Sequence, residues 1–130
     1  MVGMVIVSHS RKLAEGVKEI AGQMADRQMK IIAAGGLEGG EIGTDAIRIL
    51  QAIVNADTGS GVVILADLGS SILSSQTAID LLDEEKKKKV KIADAPIVEG
   101  AVGAAIEASI GSSLDEVISA AEEANEFQKL

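Results

Sequence analysis

Two residues of this sequence are best suited to chemistry. His9 is the only histidine, and it stands in Ser8-His9-Ser10 after the apolar run Val2 to Val7. Asp67 follows a second apolar run, Gly61 to Ala66, and opens Asp67-Leu68-Gly69-Ser70-Ser71. A neutral imidazole nitrogen attacks phosphorus well near pH 7. A carboxylate bonded to one ring nitrogen fixes the tautomer and leaves the other lone pair facing out. It also stabilises the positive ring formed on phosphorylation, through a charged hydrogen bond worth roughly 1.5–3 kcal/mol. The alternative for His9 is a surface histidine that merely ends a strand. Between the two lies Gly35-Gly36-Leu37-Glu38-Gly39-Gly40-Glu41-Ile42-Gly43, with five glycines in nine residues. Such a loop can turn consecutive main-chain N–H groups toward an anion, with Gly36, Gly39 and Gly43 as candidates. Thr44, at a helix start, adds a hydroxyl, and Ser70 and Ser71 do likewise at the next one, after Gly69 as a further phosphate-binding candidate. The alternatives are a flexible turn and ordinary helix caps.

Other chemistries are excluded by residue type. The chain has no cysteine, which removes disulfides, thiolate nucleophiles and thiolate metal sites together. A single histidine excludes a multi-histidine zinc site. No Gly-Lys-Ser/Thr follows the glycine-rich loop and no Gly-x-Gly-x-x-Gly follows the first strand, so neither a P-loop nor a dinucleotide fingerprint is present. With 12 basic and 20 acidic residues the formal charge is −8, which disfavours nucleic acid and anionic membranes as partners. No apolar stretch approaches the roughly 20 residues that span a bilayer. The start, Met1-Val2-Gly3-Met4-Val5, lacks a basic n-region and a cleavage site. These features lead to the expectation of a soluble cytoplasmic protein.

The 130 residues suit one domain, residues 1–130, and a hydrophobic fraction of 47% suffices for a core. With Phe127 the only aromatic residue, that core must be built from Val, Ile, Leu, Ala and Met. Strands are expected over Val2 to Val7, Lys30 to Ala34, Gly61 to Ala66 and Val90 to Ala93. Ser10 caps the first helix, with Leu13, Val17, Ile20 and Met24 on one face. Thr44 opens a second helix that buries Ile47, Leu50, Ile53 and Val54. A third carries Ile72, Leu73, Ile79 and Leu82. Pro96 stands at a plausible first helical position, before closing helices over Ile97 to Ile110 and Leu114 to Ala124. Ser113 and Glu116 fit a capping box. Lys86-Lys87-Lys88-Lys89 reads as a solvated helix end, with a docking patch for an acidic partner as the alternative.

This alternation predicts an α/β three-layer sandwich, with a mainly four-stranded parallel sheet of order 2-1-3-4 and about five helices. Ligands of such sheets bind beyond the carboxyl ends of the strands, where the strand order reverses. For the order 2-1-3-4 that point lies between strands one and three, which places His9 and Asp67 on neighbouring strand ends.

The residues also resemble a family: the phosphotransferase subunit of bacterial dihydroxyacetone kinase, a relative of mannose-type IIA domains. The resemblance rests on Ile6-Val7-Ser8-His9-Ser10, Ala34-Gly35-Gly36, Ile42-Gly43-Thr44-Asp45, Asp67-Leu68-Gly69-Ser70 and Ala95-Pro96-Ile97-Val98-Glu99-Gly100, in order along the chain. It implies a phosphohistidine carrier without a cofactor. The small histidine phosphocarrier protein of the sugar phosphotransferase system would phosphorylate His9. His9 would pass the group to ADP on a partner kinase subunit, and the ATP re-formed there would phosphorylate dihydroxyacetone on a third subunit. The resemblance further implies a homodimer, with the carrier protein and enzyme I acting in trans. Mannose-type IIA domains add an exchanged C-terminal strand, whereas residues 111–130 read as helix plus a polar tail, which counts against a sugar-specific IIA role. Ser71 stands where the resemblance implies a smaller residue.

Two rival readings belong to other classes. A receiver domain would use Asp67 as its phosphoryl acceptor, but such a domain needs paired acids for Mg²⁺ after the first strand, where Ser8-His9 stands. A non-catalytic regulatory or interaction module would need no phosphoryl chemistry at all.

Overall fold

No residue of the strand Gly3–Ser8 (β1) is exposed. A strand with a neighbour on each edge and helices over both faces has this property. The computed structural model describes all of residues 1–130. After β1 come Arg11–Met24 (α1), Ile31–Gly35 (β2), Ala46–Ala56 (α2), Val62–Ala66 (β3) and Gly69–Asp80 (α3). Glu84–Lys87 (α4), Val90–Ile92 (β4), Ile97–Ser109 (α5) and Leu114–Glu122 (α6) complete the chain, with a 3₁₀ turn over Glu123–Glu126. The sheet is wholly parallel in the expected order β2-β1-β3-β4. Six α-helices flank it instead of about five, because the acidic-basic segment 84–87 closes its own short turn on an Asp83 cap.

Side-chain alternation divides the core into two layers. Met4, Ile6, Val63 and Leu65 face α1, α5 and α6, while Val5, Val7, Val62 and Ile64 face α2 and α3. The helix faces match expectation at Val17, Ile53 and Leu82, which are buried, and at Leu50 and Ile79, which pack partly buried against the core, but differ elsewhere. In α1 the buried residues are Ala14, Val17 and Ala21, while Leu13, Ile20 and Met24 are exposed. In α2 the buried residues are Ile49, Ala52, Ile53 and Ala56, and Ile47 and Val54 are exposed. In α3 they are Ser71, Ser75 and Ala78, with Ile72 and Leu73 exposed. The cause is proximity. A helix lying close on a sheet of Val and Ile has room for small side chains at the contact and sends large ones to its flanks.

Capping follows the sequence signals with one shift. Ser10 caps α1 by accepting from Leu13 N–H, and Ser113 and Glu116 form the reciprocal box at α6. Asp45, not Thr44, caps α2, because its carboxylate reaches the N–H groups of Ile47 and Arg48. Pro96 is the cap residue of α5, one position before the first turn. Residues 127–130 form no strand. Lys86, Lys88 and Lys89 are exposed, as a solvated helix end requires, and Lys89 C=O accepts from Val62 N–H at the start of β3, the end of the sheet away from His9. No helix is long and apolar enough to cross a membrane.

One close approach positions the site. A Cβ on Gly35 would lie 2.6 Å from Ser10 O and 2.7 Å from the Arg11 Cα, so only glycine lets β2 end against the start of α1. The next residue, Gly36, turns the chain away at φ +66°, a left-handed conformation that glycine adopts without strain.

Candidate active site

The parallel register pairs Val7 with Ala66, and Asp67 N–H donates to Val7 O at 3.1 Å. That register carries His9 and Asp67 off adjacent strand ends to the same place. Oδ2 of Asp67 accepts from the Ser8 hydroxyl at 2.8 Å and from His9 main-chain N–H at 3.0 Å. Oδ1 accepts from His9 Nδ1 at 3.0 Å, from Leu68 N–H at 2.7 Å and from the Ser71 hydroxyl. Burial alone would raise the carboxyl pKa of Asp67. The Ser71 hydroxyl, the N–H groups of His9 and Leu68 and the Ser8 hydroxyl outweigh it and hold the group well below the usual carboxylate range. Asp67 is therefore ionised and can only accept.

This settles the tautomer. Facing an acceptor-only carboxylate, His9 Nδ1 must carry the proton, and Nε2 keeps its lone pair. The Ser70 hydroxyl donates to Nε2. Ser70 is exposed, so its hydroxyl is free to turn. The His9 side chain is 24% exposed and that of Asp67 13%, so the ring is reachable while the carboxylate is more sheltered.

The first turn of α3 lies beside Nε2. The cap residue of α3 is Leu68, which has no side-chain oxygen to offer, and the N–H groups of Gly69 and Ser70 donate to nothing else in the chain. An uncapped helix start with free N–H groups favours an anion by hydrogen bonding and by its dipole. Gly69 and Ser70 thus lie where the sequence placed them. Ser71 does not: its hydroxyl is turned to Asp67 and Nδ1, on the ring edge away from Nε2.

The glycine-rich loop also differs from the expected cradle. Gly36 N–H donates to Ser8 O, Leu37 N–H to Glu41 O, Gly40 N–H to Leu37 O and Gly43 N–H to His9 O, all at 2.9–3.0 Å. These N–H groups are engaged by the chain itself and are not offered to a phosphate. Gly39 is exposed and faces the Glu41 carboxylate. Arg11 holds the loop down through Leu37 O and Glu38 O. The loop in turn braces the main chain of Ser8 and His9 through the N–H groups of Gly36 and Gly43. The Thr44 hydroxyl pairs with Ser74 at 2.7 Å and ties α2 to α3.

Two residues at the site escaped the sequence reading. Ser8 is buried at the end of β1, where it looked like part of a strand terminus. Ser74 lies four positions after Ser70, a spacing that shares one helix face and was a usable signal. A cleft of about 360 Å³ between the ends of β3 and β4 reaches Asp67 and is lined by Ile72, Gln76 and Asp94 among others.

The family model of the PTS system fructose IIA component, EIIA-man, matches residues 3–118. A PEP-dependent dihydroxyacetone kinase phosphoryl donor subunit, DhaM, of Providencia stuartii is 42% identical over 127 residues, 95% of this chain and 27% of the relative. A DhaM subunit of that kinase from Listeria innocua is 39% identical over 118 residues, covering 91% of this chain and 94% of the relative. The chain thus spans about a quarter of the length of the first of these relatives and nearly all of the second. A crystal structure described as unknown function protein EF1359 superimposes with a TM-score of 0.84 at 36% identity, over 95% of both chains. Matched along the strand ends that carry His9 and Asp67, and by relatives of its own length, the chain belongs to the EIIA-man family of PTS IIA components, together with the DhaM phosphoryl donor subunits.

Proposed function

We propose that this chain, as one unit over residues 1–130, is a phosphohistidine carrier of a PEP-dependent dihydroxyacetone kinase. One observation carries the reading. His9 Nδ1–H is held by an ionised Asp67, and Nε2 is left as a lone pair beside the open start of α3. In the first step Nε2 attacks the phosphorus of a phosphorylated histidine carrier protein. The donor's P–N bond breaks, its imidazole keeps the electron pair, and a P–Nε2 bond forms. The proton stays on Nδ1, so the ring becomes positive and is stabilised by Asp67. Ser70, with the N–H groups of Gly69 and Ser70, receives the phosphoryl oxygens. In the second step a β-phosphate oxygen of ADP on a partner kinase subunit attacks phosphorus. The P–Nε2 bond breaks, Nε2 regains its pair, and ATP forms on the partner.

The relatives' description as phosphoryl donor subunits supports the direction of this relay. The need for ADP as acceptor suits a cytoplasmic location. A homodimer is part of the proposal, with the exposed apolar residues Ile47, Val54 and Leu73 of the packed helices α2 and α3 as a surface that a second copy would cover. Asp67 as the acceptor, in the manner of a receiver domain, is disfavoured because both its oxygens already accept hydrogen bonds.

The test is intact mass after incubation with enzyme I, the histidine carrier protein and phosphoenolpyruvate. One phosphoryl group should be added, stable to alkali and labile to acid, and His9→Ala should abolish it while the protein stays folded. Labelling of a folded His9→Ala variant would overturn the assignment.

A further inference from the structure

Ser71 is fully buried as the third residue of α3, in its first turn, and its carbonyl accepts from the buried Ser75 hydroxyl at 2.7 Å. Its own N–H donates to Leu68 O at 2.9 Å. The Ser71 hydroxyl donates to Oδ1 of Asp67 and lies 3.2 Å from His9 Nδ1. The same oxygen accepts from Leu68 N–H and from the ring N–H. Three donors therefore share an oxygen with two lone pairs, and the ring N–H is itself shared between Oδ1 and the Ser71 oxygen.

We propose that Ser71 is a positioning residue that divides the bond between Asp67 and the His9 ring and so keeps the phosphoryl group easy to release. The physical reason lies in the leaving group. A carboxylate that holds Nδ1–H strongly stabilises the positive phosphorylated ring and makes the departing Nε2 more basic. Both effects favour retention of the phosphoryl group. By occupying Oδ1 and drawing part of the ring N–H to itself, Ser71 weakens that hold. The carrier then lies nearer the balance between accepting and giving that a relay requires. The effect on transfer rests on the carrier function proposed above, whereas the effect on the ring hydrogen bond does not.

The experiment compares Ser71→Ala with Ser71→Cys, which fills the space but donates weakly. In the unphosphorylated protein the Nδ1–H proton resonance should move downfield in both variants, as the bond to Asp67 becomes undivided. In the phosphorylated protein, transfer to the ADP-loaded kinase subunit should slow by about threefold to tenfold in both, the size of one neutral hydrogen bond. The phosphorylation equilibrium with the carrier protein should shift toward this chain. An unmoved Nδ1–H resonance in a folded variant would overturn the proposal. So would a Cys variant that behaves as wild type while Ala alone differs, since the role would then be packing. If wild type accepts no phosphoryl group, the carrier function fails, and the Nδ1–H resonance still decides whether Ser71 acts on the ring.

Discussion

Replacing Asp67 by Asn keeps the shape and removes the charge, and the hydrogen-bond geometry decides which way the amide turns. With its NH₂ at the Oδ1 position, the amide would face three donors: His9 Nδ1–H, Leu68 N–H and Ser71 O–H. With NH₂ at the Oδ2 position it faces only the Ser8 hydroxyl, which can rotate to accept, and the His9 main-chain N–H, which cannot. The second orientation is preferred, so the tautomer with hydrogen on Nδ1 survives and one main-chain N–H loses its partner. That loss costs about 1–3 kcal/mol of stability. The ring bond changes from charge-assisted, about 1.5–3 kcal/mol, to neutral, about 0.5–1.5 kcal/mol. The difference of about 1–1.5 kcal/mol slows phosphorylation by roughly fivefold to twelvefold. The assay is the initial rate of phosphoryl transfer from the phosphorylated carrier protein to folded Asp67→Asn, with ring protonation read by nitrogen-resolved NMR. A drop on the order of a thousandfold or more would mean that the tautomer has inverted, as when an orienting aspartate is amidated in a catalytic triad, and would refute the amide orientation. A rate equal to wild type would refute the action of Asp67 on the ring.

Gly35→Ala should destabilise the protein by the upper part of the about 1–3 kcal/mol typical of overpacking, because the atoms in the way are main chain of Ser10 and Arg11; urea unfolding measures it. The pH dependence of stability should carry an acid limb from Asp67. Its folded pKa lies below the unfolded value of about 3.9, so its contribution is complete above that pH and is lost as pH falls from about 4 toward the folded value. Urea midpoints should therefore separate wild type from Asp67→Asn most at neutral pH and converge below about pH 4, whereas a constant difference would remove Asp67 as the source.

The fold was largely legible because its signals are local. The runs around Val5 and Ile64 have no polar interruption, as strands buried on both faces must, and Ser10 and Ser113 announce helix starts by chemistry that acts within one turn. The helix faces were less legible. Leu13, Ile20, Ile47 and Leu73 look like core residues by hydropathy, yet Ala14, Ala21, Ala52 and Ser75 occupy the contacts. Hydropathy ranks side chains one at a time, while the gap between a helix and a sheet selects for size.

At the site, the sequence alone singled out the candidate residue. One histidine at a strand end, with no cysteine or P-loop to compete, made His9 the residue on which the proposed chemistry rests, and the strand order brought Asp67 beside it. The tertiary structure decided what each serine and glycine does. Ser70 turned to Nε2, Ser71 to Asp67, and the glycine-rich loop bonded partly to itself and partly to the carbonyls of Ser8 and His9. Serine hydroxyls and loop N–H groups have several partners within reach, and differences of a few tenths of an ångström choose among them. Those differences are set by how β1, β3 and α3 pack, which no local pattern encodes.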